Sequence, residues 1–372
     1  MQLTGTPFLI VTIILVPISI AVAMLLWGKV RGPRAARALT RLVMLLFCQV
    51  TAVVTVFVMV NNANLIYGSW SDLLGTGEHV RAVPHVAPED PKGGSTHAPE
   101  PKVIQQFKKV DDPKVPGDVQ RTELKGKLSG VDGEVLVWLP PQYDKPEYKD
   151  KKFPVVELLP GWPGSSSTWY GTLKVSEQLK PLMETGQVAP FILVSPRTLL
   201  LGNTTDTGCA DVPGKVNAAT WLSRDVPQMV LDNFRADPSA DRWAVAGYSA
   251  GAHCATKLAV EHPNRYRAGI SLSGYNDPGK EPASLTAKDP ALREKSNPLN
   301  ILKSAAQPPK VALYVSGNKG DGFEDAQALK AAAKAPTTVQ PIETTGAHSS
   351  DVWKPMVPDV FKWLTTVIPA NG

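Results

Sequence analysis

The stretch DRWAVAGYSAGAHCATKLAVEHP, residues 241–263, sets one serine between two glycines, with an apolar run ahead of it and a helical pattern behind. Residues 243–246 are short and apolar enough for a buried strand, and residues 252–261 predict a helix closed by Pro263. A strand, a sharp turn carrying serine and then a helix is the setting that lifts a hydroxyl clear of a sheet as a nucleophile. The flanking glycines let strand and helix approach without colliding side chains. The same spacing also suits a small residue in a tight packing corner, so the reading turns on partners elsewhere in the chain.

Outward from this segment, short apolar runs alternate with helical patterns. Strands are expected at residues 134–139, 153–159, 191–194, 268–272, 311–315 and 339–343, and helices at 173–185, 218–234, 325–334 and 357–367. Such alternation predicts an α/β architecture, a mostly parallel sheet with helices on both faces.

A serine hydroxyl becomes a nucleophile when an imidazole takes its proton and a carboxylate fixes the imidazole's tautomer. In the α/β-hydrolase fold these groups follow the order Ser, Asp or Glu, His. Of the six histidines, His79, His85 and His97 fall in a proline-rich stretch with no metal-ligand spacing. His253 and His262 belong to the helix after the serine, as packing or capping residues. His348, after Gly346, is left as the base. The acid is expected in the loop 316–325, where Asp321 follows a glycine-rich turn. Glu324 and Asp325 suit the first turn of the next helix, where negative charge is favoured, and stand as alternatives. Two N–H donors would face the oxyanion of a tetrahedral intermediate: that of Ala250, after the nucleophile, and that of Trp162, in the turn after strand 153–159.

The N-terminal part has a different character. Residues 8–27 and 42–60 carry no charge, and at 1.5 Å per residue each spans about 30 Å, the thickness of a bilayer's hydrocarbon core. Lys29, Arg31, Arg34, Arg37 and Arg41 lie between them, and residues 1–62 contain no acid. Those five cations equal the whole net charge of +5, so the rest of the chain is close to neutral and a nucleic-acid surface is not indicated. Two transmembrane helices with a cytoplasmic basic hairpin follow, and both termini face outward. A cleaved signal peptide is the rival reading. It lacks a cationic start, and its apolar stretch exceeds the usual length. The expected organisation is a membrane anchor over residues 1–75, a flexible linker over 76–116 and a catalytic domain over 117–372.

The segments WLSRDVPQMV (221–230), GYSAGAHCATKLAVEHPNRYRAGISLSGYNDPG (247–279) and GAHSSDVWKPMV (346–357) resemble the esterase D/antigen 85 branch of the α/β hydrolases. That branch holds mycolyltransferases, S-formylglutathione hydrolases and feruloyl esterases. The resemblance covers roughly residues 117–369. It implies the α/β-hydrolase fold, with Ser249 as nucleophile, His348 as base, and Ala250 and Trp162 as oxyanion donors. Pro160 and Pro163 stand where mycolyltransferases carry Asp and Arg, and Ala252 where relatives often have glycine. The mycolyltransferase acid is a Glu further along the chain, so Asp321 matches the esterases better.

Cys48 falls inside the second span. Cys209 and Cys254 lie in the outward region, where disulfides persist, and a bridge between them would brace the helix after the nucleophile; two buried free thiols are the alternative. The sequence therefore predicts an outward-facing serine esterase or acyltransferase, acting on small-molecule or lipid esters and needing no metal or organic cofactor. The contrasting expectation is a binding or envelope-structural protein that keeps the fold without the chemistry.

Overall fold

A computed structural model of the 372-residue chain describes residues 1–86 and 101–370. The interior runs 153–159 and 243–246 become central strands because they can be covered on both faces, as parallel strands must be. Among the described residues nine strands form the sheet: β1 (Lys108–Lys109), β2 (Gln120–Lys125), β3 (Asp132–Trp138), β4 (Val155–Leu159), β5 (Ile192–Pro196), β6 (Trp243–Tyr248), β7 (Ala268–Leu272), β8 (Ala312–Gly317) and β9 (Thr338–Glu343). Their order is β1-β2-β3-β5-β4-β6-β7-β8-β9. The first three strands and β5 pair antiparallel, and everything from β5 to β9 is parallel.

Alternate residues of the central strands feed two cores. Val155 and Leu159 of β4 join Met229, Leu258 and Leu329 on one face, while Val156 and Leu158 join Leu179, Phe361 and Leu364 on the other. Helices α4 (Val226–Asn233), α5 (Ala250–Glu261) and α6 (Phe323–Ala332) cover the first face, and α3 (Val175–Glu184) and α7 (Val357–Val367) the second. The expected helix over 218–234 is interrupted. A short turn at Ala218–Thr220 leads into a π-helical turn at Trp221–Asp225 before α4 begins. Pro227 lacks the N–H that would bond four residues back to Ser223, and a wider turn accommodates the missing bond.

Ahead of the domain, α1 (Thr6–Trp27) and α2 (Arg34–Asn64) pack against each other and are long and apolar enough to cross a membrane. Small polar residues make their seam. Ser19 Oγ and Thr51 Oγ1 lie 3.0 Å apart, and Thr55 Oγ1 donates to the Thr12 carbonyl at 3.0 Å. Interhelical bonds of this kind join helices in an apolar medium. Ile14, Ile18, Phe47 and Val53 point outward and are exposed.

The structure describes part of the segment expected as a linker, residues 76–86 and 101–116. Residues 87–100, with His97, lie outside the described residues. Residues on either side lie against the domain. Val80 bridges Val131, Arg81 pairs with Asp132 at 3.2 Å, and Asp232 and Asn233 accept the N–H groups of Val103 and Gln105. β1 then extends the sheet, with Lys108 and Lys109 opposite Arg121 and Gln120. These segments have no apolar period because main-chain and polar bonds hold them, and hydrophobic periodicity cannot register such bonds.

Glu157 of β4 is fully buried, and burial pushes its carboxyl from 4.5 to about 8. The Tyr266 hydroxyl lies 2.8 Å from Glu157 Oε2 and 3.1 Å from the Leu222 carbonyl. One hydroxyl proton serves one of these acceptors, and the proton of a neutral Glu157 completes the pair. The folded state therefore holds a proton that the unfolded chain releases above 4.5, so this group's contribution to stability falls as pH rises toward 8. Glu157→Gln keeps the acceptor and removes the titration. Thermal melts from acid to mildly alkaline pH should show the variant gaining on the parent as pH rises, by on the order of 1–4 kcal/mol at the alkaline end. Parallel curves would refute the neutral Glu157.

Candidate active site

The turn between β6 and α5 holds Ser249 at φ 55 and ψ −126, a backbone conformation that L-residues rarely adopt. The two glycines of the motif permit it. A Cβ on Gly247 would sit 1.9 Å from the Gly251 carbonyl oxygen, and one on Gly251 would sit 2.3 Å from that of Leu159. Strand β4, strand β6 and helix α5 thus meet with no room for a side chain. The Ser249 N–H donates to the Leu272 carbonyl at 2.9 Å, which fixes the turn to β7.

His348 Nε2 lies 2.8 Å from Ser249 Oγ, and His348 Nδ1 lies 2.9 Å from Asp321 Oδ2 and 3.0 Å from Oδ1. Three side chains separated by 72 and 27 residues in sequence are thereby brought into one hydrogen-bonded line. The turn carrying Asp321 is closed by reciprocal backbone bonds with Asn318, at 2.9 and 3.1 Å. Asn318 Nδ2 donates to the Gly346 carbonyl at 2.9 Å, tying that turn to the histidine loop. The alternative acids are engaged elsewhere. Glu324 Oε2 accepts the Gly320 N–H at 2.9 Å, and Asp325 Oδ1 accepts the Asn276 N–H at 2.9 Å.

Sequence reasoning assigned no role to the support behind His348. Trp353 meets the imidazole edge-to-face, with ring centroids 4.9 Å apart and planes at 88°. Trp353 in turn stacks on Tyr248 at 4.7 Å and donates from Nε1 to Ser273 Oγ at 3.0 Å. The aromatic five residues beyond the histidine was the available signal, but its partners are remote in the chain and invisible to spacing. His253 sits elsewhere, stacked on Tyr275 at 4.7 Å. Burial holds its pKa down to about 4, so it is a neutral residue of α5, with Nδ1 2.9 Å from the Tyr275 carbonyl.

The 160–164 loop follows β4 and passes against the nucleophile. A Cβ on Gly161 would lie 2.9 Å from Tyr248 Cε2 and 3.0 Å from Ser249 Cβ. Ala250 opens α5, where a first-turn N–H has no partner inside the helix. Trp162 lines a pocket of about 260 Å³ with Gly161, Tyr248, Ser249, His348 and Trp353, and Asn64 and Ile66 close another side of it. Behind the elbow, a disulfide joins Cys209 to Cys254 and closes a loop of 45 residues. On the chain-entropy account, cross-linking a loop of that length contributes about 4 kcal/mol. Cys48 is a free thiol. Among the described residues, no group of three or more His, Cys, Asp and Glu side chains is arranged to hold a metal ion.

A family model described as "Putative esterase" matches residues 129–354, more than half of the chain and the whole span from β3 to the residue after Trp353. The chain belongs to this esterase family. Among curated relatives, the chain is 26% identical over 255 residues to an uncharacterized protein of Corynebacterium glutamicum, covering 63% of this chain and 58% of that one. It is also 26% identical over 216 residues to an endo-1,4-beta-xylanase/feruloyl esterase of Xylanibacter ruminicola, covering 56% of this chain and 28% of that one. The chain thus spans less than two thirds of either relative. Solved structures share the fold. A ferulic acid esterase superposes with a TM-score of 0.57 at 21% identity, over 67% of this chain and 98% of that one. An S-formylglutathione hydrolase of Agrobacterium tumefaciens gives 0.54 at 15%, over 72% and 99%. A fluorophosphonate-binding serine hydrolase of Staphylococcus aureus gives 0.54 at 14%, over 67% and 98%. The architecture is the α/β-hydrolase fold. Feruloyl esterases and S-formylglutathione hydrolases, both named in the sequence resemblance, stand among these matches.

Proposed function

We propose that the protein is a membrane-anchored, outward-facing serine esterase or acyltransferase that works through Ser249, His348 and Asp321. The observation that carries this reading is the continuous line from Ser249 Oγ through His348 to Asp321, at 2.8 and 2.9 Å. His348 Nε2 removes the hydroxyl proton as Oγ bonds to the ester carbonyl carbon. Negative charge moves to the carbonyl oxygen, toward the N–H groups of Ala250 and Trp162. The tetrahedral intermediate collapses by breaking the bond to the alcohol oxygen, which takes the proton from His348. The acyl group is left on Ser249. Water or an acceptor alcohol, deprotonated by the same imidazole, then attacks the acyl-enzyme and restores the serine. Asp321 holds Nδ1 protonated, so that Nε2 is free to accept.

The anchor rests on α1, α2 and five cations, Lys29 and Arg31 in the connection and Arg34, Arg37 and Arg41 in the first turns of α2, with the catalytic domain on the far side of the membrane from that basic hairpin. A disulfide in the domain suits an oxidising compartment. A panel of p-nitrophenyl esters of graded acyl length, run with and without an acceptor alcohol, tests the reading. Turnover supports it, and the share of transesterified product separates hydrolysis from acyl transfer. No turnover of any ester by folded protein would end it. Gly161→Ala should lower kcat by about 10²-fold, since the added methyl displaces the donor loop from Ser249 and removing one oxyanion donor has an effect of that size. A kcat within a few-fold of the parent would remove the 160–164 loop from the catalytic scheme.

A further inference from the structure

We infer that the substrate reaches Ser249 from the outer leaflet of the protein's own membrane, as an ester carrying a long acyl chain, through a pocket mouth that α2 helps to build; this rests on the serine-esterase and membrane-anchor reading above. α2 does not lead into a slack connection. Leu65, directly after it, turns into the left-handed region at φ 50 and is 1% exposed against the domain. Its carbonyl accepts bonds from Ser165 Oγ at 2.6 Å and Thr168 Oγ1 at 3.2 Å, and Thr172 Oγ1 donates to the Ala63 carbonyl at 3.3 Å. Lys114 Nζ donates to the Asn62 carbonyl. The last carbonyls of a helix have no partner within it, and here side chains of the catalytic domain supply them. The fit is close, since a Cβ on Gly171 would lie 2.2 Å from Leu65 Cδ1. Beyond Leu65 the seat continues: Asp72 pairs with Arg197 at 2.7 Å, and Asn203 donates to the Leu73 carbonyl at 2.5 Å.

Ser165, Thr168 and Thr172 follow the 160–164 loop directly, so the segment that clasps α2 continues the loop beside the nucleophile. Asn64 and Ile66 accordingly line the same pocket as Trp162, Leu173, Ser249 and His348. The apolar stretch of α2 ends at Val60. At 1.5 Å per residue, Asn64 stands about 6 Å further along the axis, and the headgroup layer of one leaflet is about 5–7 Å deep. The pocket wall therefore stands at headgroup depth, where the ester bonds of membrane lipids lie. Ile66, Leu173 and Trp162 offer an apolar wall to a chain lifted only that far. A domain held away on a linker would have no such wall in common with its anchor.

The full-length protein in phosphatidylcholine vesicles tests this with p-nitrophenyl palmitate placed either in the same vesicles or in separate protein-free vesicles, and with p-nitrophenyl acetate in the water. The palmitate ester should be consumed in the protein's own vesicles and largely spared in the separate ones, while the acetate is turned over in both mixtures. Ile66→Asp should lower the palmitate-to-acetate rate ratio by about tenfold, as expected when a charge replaces an apolar contact with the chain. Acetate turnover with palmitate consumed equally in both vesicle arms, or in neither, would overturn the membrane route and leave the serine esterase standing. No turnover of either ester, with Ser249 refractory to a fluorophosphonate, would instead remove the reading beneath it.

Discussion

Ser249→Ala is expected to reduce kcat/KM for a p-nitrophenyl ester by roughly 10⁴- to 10⁶-fold while leaving the fold in place. The substitution removes one oxygen from a residue whose backbone is fixed by neighbours. The Ser249 N–H bond to Leu272 and the glycine contacts on either side do not involve the hydroxyl. Any residual rate reflects binding and the oxyanion donors, which need no nucleophile from the protein. Equal melting temperatures for the variant and its parent make the comparison fair. A loss smaller than about a hundredfold would mean that another group carries the chemistry, because water positioned by the remaining machinery is far slower.

Asp321→Asn is the second large effect, at about 10⁴-fold in kcat. A carboxylate 2.9 Å from His348 Nδ1 accepts a hydrogen bond there, which keeps the imidazole proton on Nδ1. An amide can instead present its N–H to Nδ1. That places the imidazole proton on Nε2, the atom that must be bare to receive the serine's proton, so the geometry survives while the tautomer is wrong. Glu324→Gln and Asp325→Asn are the controls. Their carboxylates accept from Gly320 and Asn276 and touch neither His348 nor Ser249. Both should retain activity within a few-fold, with any change appearing as a shift in melting temperature. A near-normal Asp321→Asn beside a crippled Glu324 or Asp325 variant would reassign the acid.

The signals at the centre of this candidate site are local in the sequence. GYSAGAH combines a strand, a glycine-bounded serine and a helix within one window. The candidate histidine and acid each follow a glycine in loops after strands, as chain order requires. What the sequence hides depends on distant contacts. Ser273 and Trp353 meet over 80 residues, and no spacing rule joins them. Strand β2, with the sequence QRTELK, pairs between β1 and β3 and buries few side chains, so its charges masked it. The short helices at Leu285–Lys288, Pro290–Lys295 and Pro298–Ser304 each begin at an Asx or Ser cap and are too brief to show a period. Asn64 and Ile66 stand at the end of an apolar run that reads as anchor alone. Their place in the pocket follows from the tertiary seat of Leu65, which composition cannot express.

That seat also changes what the anchor does in the account. A flexible linker would leave the domain free to meet esters in solution, whereas the paired Asp72 and Arg197 and the capped end of α2 hold the domain against the C-terminal end of that apolar helix. Orientation, access and chemistry then become one structural problem.

The most direct measurement is to locate the covalent adduct after the full-length protein, folded in detergent, reacts with a fluorophosphonate and is digested for peptide mass spectrometry. The account predicts a single phosphonylated residue, Ser249, with modification strongly slowed in His348→Ala. A folded protein whose Ser249 peptide stays unmodified while substrate is still turned over would contradict it.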